Sequence, residues 1–263
     1  MISSPNLLSN IDIQPRNKGT VVDREYETKP MVYTASDQKT IAYRQGIYNA
    51  DQTGNFCMFI FLHGAGEQGS DNKLQLKHIM EPLANYLKEE KIKCVVLLPQ
   101  CPANEQWVNT PWTNTSHTMP ETPSLPMRHV IELLDSKIAE FHVDAARIYI
   151  CGISMGGYGT WDLLCRRPEF FAAGMPVCGG VDCEQVQKLK KVPLTIYHGE
   201  NDEAVPVCRS RNAAEALKKA GNTCFKYVEI PGAPHDVWTP CFQERKNFEW
   251  MFAQRRGEPS KNI

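Results

Sequence analysis

Short apolar runs alternate along the chain with longer segments in which apolar residues recur every three or four positions. Residues 56–62 (Phe-Cys-Met-Phe-Ile-Phe-Leu) are apolar throughout, which is typical of a strand buried on both faces. Comparable runs that end at Gly, Pro or a polar turn predict strands at 31–35, 40–48, 94–98, 147–151, 174–178, 194–198 and 225–230. Helical periodicity predicts helices at 74–90, 127–141, 155–166, 207–220 and 242–253. This alternation predicts an α/β fold with a mainly parallel, doubly wound sheet flanked by helices.

Two segments depart from the alternation. Residues 1–30 are polar, contain proline and have no period, which predicts an extended arm in front of a single domain at 31–263. Residues 100–126 are rich in Pro, Thr, Asn and Trp and directly follow a predicted strand. A loop of that length is usually functional.

Charge and hydropathy exclude several classes of partner. Lys and Arg number 29 against 30 Asp and Glu, a formal charge of -1, so we expect no nucleic-acid partner. No apolar stretch approaches the roughly 20 residues of a membrane span, and we expect none. The first residues lack the basic and apolar regions of a signal peptide.

The ten cysteines do not form a recognisable framework. Several lie in apolar runs, where a thiol behaves as a small buried hydrophobe, and no Cys or His cluster has zinc spacing. We therefore expect no metal and a reducing, cytoplasmic location, or secretion if a leader has been removed. The sequence does not predict the oligomeric state.

A candidate nucleophile follows the predicted strand 147–151. Residues 152–157 (Gly-Ile-Ser-Met-Gly-Gly) connect that strand directly to a predicted helix. A serine at such a turn has a strained backbone and needs flanking glycines, and its hydroxyl lies near a helix N-terminus that favours negative charge. This context favours Ser154 as a nucleophile over a glycine-rich turn without catalytic meaning.

The other two members of a triad are expected after later strands, in the order Ser, acid, His. The turn after strand 194–198 contains Asp202, the leading candidate acid, and the alternatives Glu200 and Glu203. The constrained loop after the last strand contains His235, the candidate general base. His198 ends a strand, and we interpret it as structural.

Acyl transfer also requires donors to the oxyanion. The backbone N–H of Met155, directly after the serine, is one candidate. Residues 62–66 (Leu-His-Gly-Ala-Gly) follow the buried strand 56–62, and their glycines allow the N–H of Ala65 to approach as the second. His63 would support this loop structurally.

These motifs together resemble a known family. They are residues 62–67 (Leu-His-Gly-Ala-Gly-Glu), 99–102 (Pro-Gln-Cys-Pro), 152–161 (Gly-Ile-Ser-Met-Gly-Gly-Tyr-Gly-Thr-Trp), 198–202 (His-Gly-Glu-Asn-Asp) and 235–238 (His-Asp-Val-Trp). From about Lys39 to Phe252 the chain resembles the esterase branch of the α/β-hydrolases that contains feruloyl and acetyl xylan esterases of carbohydrate esterase family one. It is also similar to a related group labelled predicted peptidases or phospholipase/carboxylesterases.

The resemblance implies an α/β-hydrolase fold, a triad of Ser154, His235 and Asp202, and an oxyanion hole formed by Ala65 and Met155. It implies a serine esterase without a cofactor, acting on feruloyl, acetyl or other short acyl groups of a small-molecule or carbohydrate-linked ester. A serine peptidase, a lysophospholipase- or thioesterase-like carboxylesterase, and a non-catalytic binding protein of the same fold are the alternatives.

Aromatic residues near these motifs are candidates for substrate binding. Trp107 and Trp112 lie in the loop 100–126, and Trp238 follows His235. Aromatic faces at a pocket mouth suit a sugar ring or a phenolic acid, although packing beneath a long loop explains them equally well. Gln100 and Glu67 follow strand ends and are candidates to line the same cleft.

Overall fold

The computed structural model describes residues 26–261, and its centre is one sheet of eight strands. The strands are β1 (Thr28–Thr34), β2 (Thr40–Tyr48), β3 (Cys57–Leu62), β4 (Cys94–Pro99), β5 (Ile148–Ile153), β6 (Ala173–Val177), β7 (Leu194–Gly199) and β8 (Phe225–Ile230). Their order across the sheet is β1-β2-β4-β3-β5-β6-β7-β8. β2 is antiparallel to β1 and β4, and the remaining pairs are parallel. This topology confirms the predicted α/β-hydrolase fold.

Helices cover both faces of the sheet. They are α1 (Met80–Glu89), α2 (Leu125–Phe141), α3 (Met155–Arg166), α4 (Cys208–Lys219), α5 (Trp238–Gln243) and α6 (Arg245–Ala253). Every residue of β3 is buried, and alternate side chains enter different cores. Met58 and Ile60 pack in the core that includes residues of α2, α3 and α4, whereas Phe59 and Phe61 pack with residues of α1, α5 and α6. This alternation is the period of two that a strand imposes on its side chains.

Two predicted helices are interrupted. The segment 74–90 forms a short 3₁₀ turn at Leu74–Leu76, and α1 begins only at Met80. Pro82 explains the late start, because proline is tolerated in the first turn of a helix but clashes with a carbonyl four residues earlier. The segment 242–253 breaks at Glu244, whose backbone is extended and whose side chain accepts the N–H of Lys246 at the start of α6.

The N-terminal boundary differs slightly from the predicted one. β1 begins at Thr28, within the last three residues of the predicted arm. It pairs with β2 along its length, from Thr28 opposite Gly46 to Thr34 opposite Thr40. Residues 1–25 of the predicted arm lie outside the described residues.

The loop after β4 contains neither helix nor strand from 101 to 124. Hydrogen bonds of its backbone attach this loop to side chains in the part of the chain that follows β5. The N–H of Met119 donates to Asp182 at 2.9 Å, and the Arg166 guanidinium donates to the carbonyl oxygens of Pro120 and Glu121 at 2.6 and 3.0 Å. The loop therefore lies against α3 and the segment after β6.

All ten cysteines lie in the described part of the chain and are free, and seven of them are fully or almost fully buried in the two cores. The cytoplasmic location inferred from cysteine usage stays a prediction. Among residues 26–261, no helix is both long and apolar enough to cross a membrane.

Candidate active site

Ser154 occupies the turn between β5 and α3 with a strained backbone. Its φ of 53° and ψ of -119° lie where non-glycine residues are rare, and its N–H donates to the carbonyl oxygen of Val177 at 2.8 Å. A Cβ on Gly156 would lie only 1.8 Å from the carbonyl oxygen of Leu62. The glycines of the motif thus let α3 approach the end of β3, as the sequence predicts.

The structure brings Ser154, His235 and Asp202 into one hydrogen-bonded chain. Nε2 of His235 lies 2.8 Å from Oγ of Ser154, and Nδ1 lies 2.6 Å from Oδ2 of Asp202. The three residues follow β5, β8 and β7, and the carboxyl ends of these parallel strands meet at one edge of the sheet. This geometry suits transfer of the serine proton to the imidazole.

The Asp202 side chain is fully buried yet well supplied with donors. Burial alone would raise its pKa, but hydrogen bonds from His198, His235 and the Val205 N–H outweigh that effect and hold the pKa of the carboxyl well below its usual range. The carboxylate therefore remains ionised at neutral pH beside the candidate base.

Neither of the other two acids of this turn forms a hydrogen bond with His235 in the described part of the chain. The carboxylate of Glu200 accepts the N–H of Gly232 at 2.8 Å, and Glu203 is exposed. The geometry thus selects Asp202 among the three alternatives that the sequence leaves open.

His198, which the sequence analysis does not include in the site, contacts Asp202. It is fully buried, and its Nε2 lies 3.2 Å from Oδ2 of Asp202 and 3.0 Å from the carbonyl oxygen of Val205. Since both neighbours are acceptors, Nε2 carries a proton. The signal in the sequence is the spacing of four residues between His198 at the strand end and Asp202 in the turn.

The candidate oxyanion donors start two helical turns that lie side by side. Met155 is the first residue of α3, and Ala65 begins a 3₁₀ turn at Ala65–Glu67. N–H groups in a first turn have no acceptor within the helix and remain available to a ligand. The strands before them are adjacent, and a Cβ on Gly64 would lie 3.5 Å from Cβ of Ser154. Their role in catalysis stays a prediction.

His63 holds the loop that carries Ala65. Its Nε2 accepts the N–H of Cys101 at 2.8 Å, and Nδ1 lies 2.6 Å from the carbonyl oxygen of Gly64. Burial lowers the pKa of His63 to about 4, so the imidazole is neutral and donates from Nδ1. His63 is buried and structural, as its sequence position suggests.

The three candidate tryptophans occupy different environments. Trp107 is fully buried, and its Nε1 donates to the carbonyl oxygen of His63 at 3.0 Å, so it packs beneath the loop and is not at a pocket mouth. Trp112 is partly buried, and its carbonyl oxygen accepts the Tyr158 hydroxyl at 2.9 Å. Trp238 is partly exposed, and its ring centroid lies 5.2 Å from that of His235. Contacts of Trp112 and Trp238 with substrate stay predictions.

Gln100 does not line a cleft. It is 1% exposed, and both ends of its amide are engaged. Nε2 donates to the Glu67 carbonyl oxygen at 3.1 Å and to Asp71 at 2.8 Å, while Oε1 accepts the N–H of Asn72 at 2.7 Å. This position corrects the expectation of a substrate contact, because the side chain fixes the loop 67–72.

Glu67 is almost completely buried. Its Oε1 is 3.1 Å from Nε2 of His78, and a Cβ on Gly64 would lie 3.2 Å from Oε2. Gly64 is therefore in contact range of both Glu67 and Ser154. A contact between Glu67 and substrate stays a prediction.

Within residues 26–261, one set of three possible metal ligands lies together, and it includes two members of the hydrogen-bonded chain. Ligand atoms of Cys178, Asp202 and His235 lie within 4.8 Å of one another. Burial raises the pKa of the Cys178 thiol, which keeps it protonated, whereas a metal binds the thiolate. The thiol donates instead to the carbonyl oxygen of His235 at 3.2 Å. This arrangement suits proton transfer better than metal binding.

Comparison with known proteins places the chain in one family. The sequence model of the phospholipase/carboxylesterase family matches residues 51–249. Carboxylesterase SOBER1 of Arabidopsis thaliana is 25% identical over 224 residues, which cover 76% of this chain and 92% of that protein.

Solved structures agree with this comparison. A thermostable esterase superposes with a TM-score of 0.80 at 33% identity and covers 88% of this chain, although the match spans only 64% of the esterase chain. The feruloyl esterase module of Clostridium thermocellum superposes with a TM-score of 0.62 at 16% identity over 99% of this chain and 100% of the module, which shows a shared fold. The chain therefore belongs to the phospholipase/carboxylesterase family and is a carboxylic-ester hydrolase of the α/β-hydrolase fold.

Proposed function

We propose that the protein hydrolyses feruloyl, acetyl or other short acyl esters through a triad of Ser154, His235 and Asp202. The observation that carries this proposal is the continuous chain of hydrogen bonds, 2.8 Å from Ser154 Oγ to His235 Nε2 and 2.6 Å from His235 Nδ1 to Asp202 Oδ2. Distances in this range are those required between a nucleophile, its base and the group that orients the base.

In the first half of the reaction, His235 Nε2 takes the proton of Ser154 as Oγ attacks the ester carbonyl. The negative charge of the tetrahedral intermediate is stabilised by the N–H groups of Ala65 and Met155. Asp202 keeps Nδ1 protonated and stabilises the imidazolium without taking its proton. The intermediate then collapses, and the alcohol leaves with a proton from Nε2.

In the second half, His235 deprotonates a water molecule that attacks the acyl-enzyme. The same donors stabilise the second oxyanion, and the proton returns to Ser154 as the acid product departs. Each proton transfer in this cycle uses a residue already in place, so the proposed reaction needs no cofactor.

The proposal is tested with a panel of esters and a pair of serine variants. We expect Ser154→Ala to fold normally and to lose kcat by about 10⁴-fold or more, as removal of a triad nucleophile does elsewhere. Ser36→Ala is the matched control, because Ser36 is exposed and donates to Glu132, outside the hydrogen-bonded chain of the site. Retention of wild-type turnover by Ser154→Ala would exclude the mechanism.

The panel consists of 4-nitrophenyl acetate, butyrate and octanoate, methyl ferulate and acetylated xylan. Serine-dependent hydrolysis of methyl ferulate or acetylated xylan would support the polysaccharide-linked class. Activity that increases with acyl length up to octanoate would contradict the short-acyl proposal and favour a lysophospholipase-like enzyme.

A further inference from the structure

Arg209, near the start of α4, is a buried cation that forms no salt bridge with any acid among residues 26–261. Its side chain is 2% exposed, and Nε and Nη1 are buried without a hydrogen-bond partner among the described residues. Nη2 makes a short hydrogen bond to Nδ1 of His117, and the guanidinium lies 5.2 Å from the ring centroid of Tyr158. An aromatic ring and a neutral acceptor offset only part of the cost of burying a charge.

His117 is itself held in the neutral form. Burial and the neighbouring Arg209 charge lower the pKa of His117 to about 4, so its Nδ1 accepts a hydrogen bond at neutral pH and contributes no charge. Nε of Arg209 carries one N–H and Nη1 carries two, and in the described part of the chain these donors have no acceptor within hydrogen-bond distance. An ordinary buried arginine has most of its donors paired.

Arg209 is one of the residues that line a cavity of about 320 Å³. The loop 115–118, the segment 181–184 and the first turns of α4 line this cavity. Gly180 makes room for the guanidinium, because a Cβ at that position would lie 2.2 Å from Nε of Arg209. The glycine at position 180 thus leaves space for the Arg209 side chain.

Two acids also line this cavity, but neither Asp182 nor Glu184 forms a salt bridge with Arg209. The carboxylate of Asp182 accepts the N–H groups of Met119 and Glu184 at 2.9 and 3.0 Å, which fixes it on the backbone. Glu184 is exposed to solvent. The cavity lining therefore contains a buried guanidinium that forms no ion pair with either of these acids.

Tyr158 connects Arg209 with the candidate active site. Tyr158, which contacts both Arg209 and His117, lies one turn into α3, and its N–H donates to the carbonyl oxygen of Ser154 at 3.1 Å. On the other side, α4 directly follows the turn that carries Asp202. Arg209 is thus linked to Ser154 through Tyr158 and to Asp202 through the start of α4.

We propose that Arg209 forms a subsite for a carboxylate carried by the ester substrate, with the cavity at 115–118 and 181–184 enclosing that end of the molecule. This inference rests on the proposed ester hydrolysis. A carboxylate supplies the missing negative charge and accepts from the unpaired N–H groups, and such charge-assisted hydrogen bonds are about twice as strong as neutral ones. Monoesters of short dicarboxylic acids are the simplest substrates of this class.

The test compares 4-nitrophenyl butyrate with the mono-4-nitrophenyl ester of succinic acid, which has a carboxylate in place of the terminal methyl group. We expect Arg209→Met to lower kcat/KM for the succinyl ester about 10-fold or more, mainly through KM, and to change that for butyrate by less than about threefold. Arg211→Met is the matched control, because Arg211 lies on the same helix but is exposed and paired with Glu229. We expect this control to leave the ratio of the two esters unchanged.

Succinate binding provides a measurement that does not depend on catalysis. Calorimetry at constant ionic strength should detect succinate binding to the wild type and to Arg211→Met, and weaker binding to Arg209→Met. Arg209→Lys retains the charge and should bind succinate with intermediate affinity, which guards against a folding defect in the methionine variant.

The outcomes separate the subsite from the proposed function. Serine-dependent hydrolysis of butyrate with no effect of Arg209→Met on the ester ratio or on succinate binding would overturn the subsite and leave the hydrolase. Hydrolysis of neither ester would contradict the proposed function, and succinate binding by the wild type but not by Arg209→Met would then still support the subsite. An equal loss on both esters with unchanged succinate binding would make Arg209 purely structural.

Discussion

Nε2 of His198 and Nδ1 of His235 approach the same oxygen of Asp202, Oδ2, at 3.2 and 2.6 Å. The second oxygen, Oδ1, accepts the N–H groups of Ala204 and Val205 at 2.9 and 2.8 Å. Each oxygen of this buried carboxylate therefore has two donors, which uses its acceptor capacity fully. This arrangement fixes the orientation of the acid and, through it, that of the imidazole beside Ser154.

Replacing His198 by phenylalanine tests this relationship. We expect His198→Phe to lower kcat of ester hydrolysis about 10-fold with little change in KM, because a mispositioned imidazole impairs the transition state more than binding. Steady-state kinetics on 4-nitrophenyl butyrate measure both parameters. Ser210→Ala is the control, since it removes only the partner of His198 Nδ1 at 2.7 Å. Equal losses in both variants would mean that His198 supports the turn without orienting Asp202.

Because the backbone of Ser154 is strained, we expect glycine at this position to give a more stable protein than alanine. At φ 53° and ψ -119°, a side chain costs roughly 1–3 kcal/mol of strain, while glycine costs less than about 1 kcal/mol of unfolded-state entropy. Ser154→Gly should therefore have a free energy of unfolding about 1 kcal/mol above that of Ser154→Ala, although both lack the hydroxyl. Urea unfolding of the two inactive variants measures the difference, and greater stability of the alanine variant would argue against strain at this turn.

An added methyl group should have very different effects on stability at two glycines near the site. A Cβ at Gly156 would meet the backbone carbonyl of Leu62 at 1.8 Å, whereas a Cβ at Gly66 would meet nothing within 4 Å. We expect Gly156→Ala to reduce the free energy of unfolding by more than about 3 kcal/mol or to prevent folding, and Gly66→Ala to change it by less than about 1 kcal/mol. Thermal unfolding compares the two variants, and similar stabilities would contradict the close approach of α3 to β3.

The sequence predicts that the three candidate triad residues lie together, because each of them follows a predicted strand closely. Ser154, Asp202 and His235 each follow a strand within a few residues, and parallel strands bring their carboxyl ends to one edge. The environments of Gln100 and Trp107 were not accessible in this way. Both also follow the end of β4, but contacts with distant partners at 67–72 and at His63 decide that they are buried.

Of the two interruptions in the predicted helices, one has a local marker in the sequence and the other does not. Pro82 marks the first turn of α1 and could have limited the predicted helix, since its ring is incompatible with a helix interior. The break at Glu244 has no such local marker. The extended backbone of Glu244 separates two helices that pack in the same core. Arg209 gave no signal at all in the sequence, since only the fold shows that this charge is buried.

The buried His63 predicts a loss of stability in mild acid. Its pKa of about 4 in the folded chain lies below the value of roughly 6.5 expected when unfolded, so the unfolded chain binds a proton in the interval between them. The free energy of unfolding should therefore decrease as pH falls from about 6.5 to 4, by up to about 3 kcal/mol from this residue. His117, whose pKa is also about 4, adds to the decrease in the same interval.

His63→Gln separates the share of His63 from the rest, since glutamine does not titrate. We expect this variant to be less stable than wild type at pH 7, because the glutamine side chain would replace the hydrogen bonds of His63 to Cys101 and Gly64 only imperfectly. It should, however, lose less stability between pH 7 and 4.5. Urea unfolding at both pH values measures the two slopes. His142→Gln, which changes an exposed histidine at the end of α2, should keep the wild-type dependence. If His63→Gln loses as much stability in acid as wild type, the proton is taken up elsewhere.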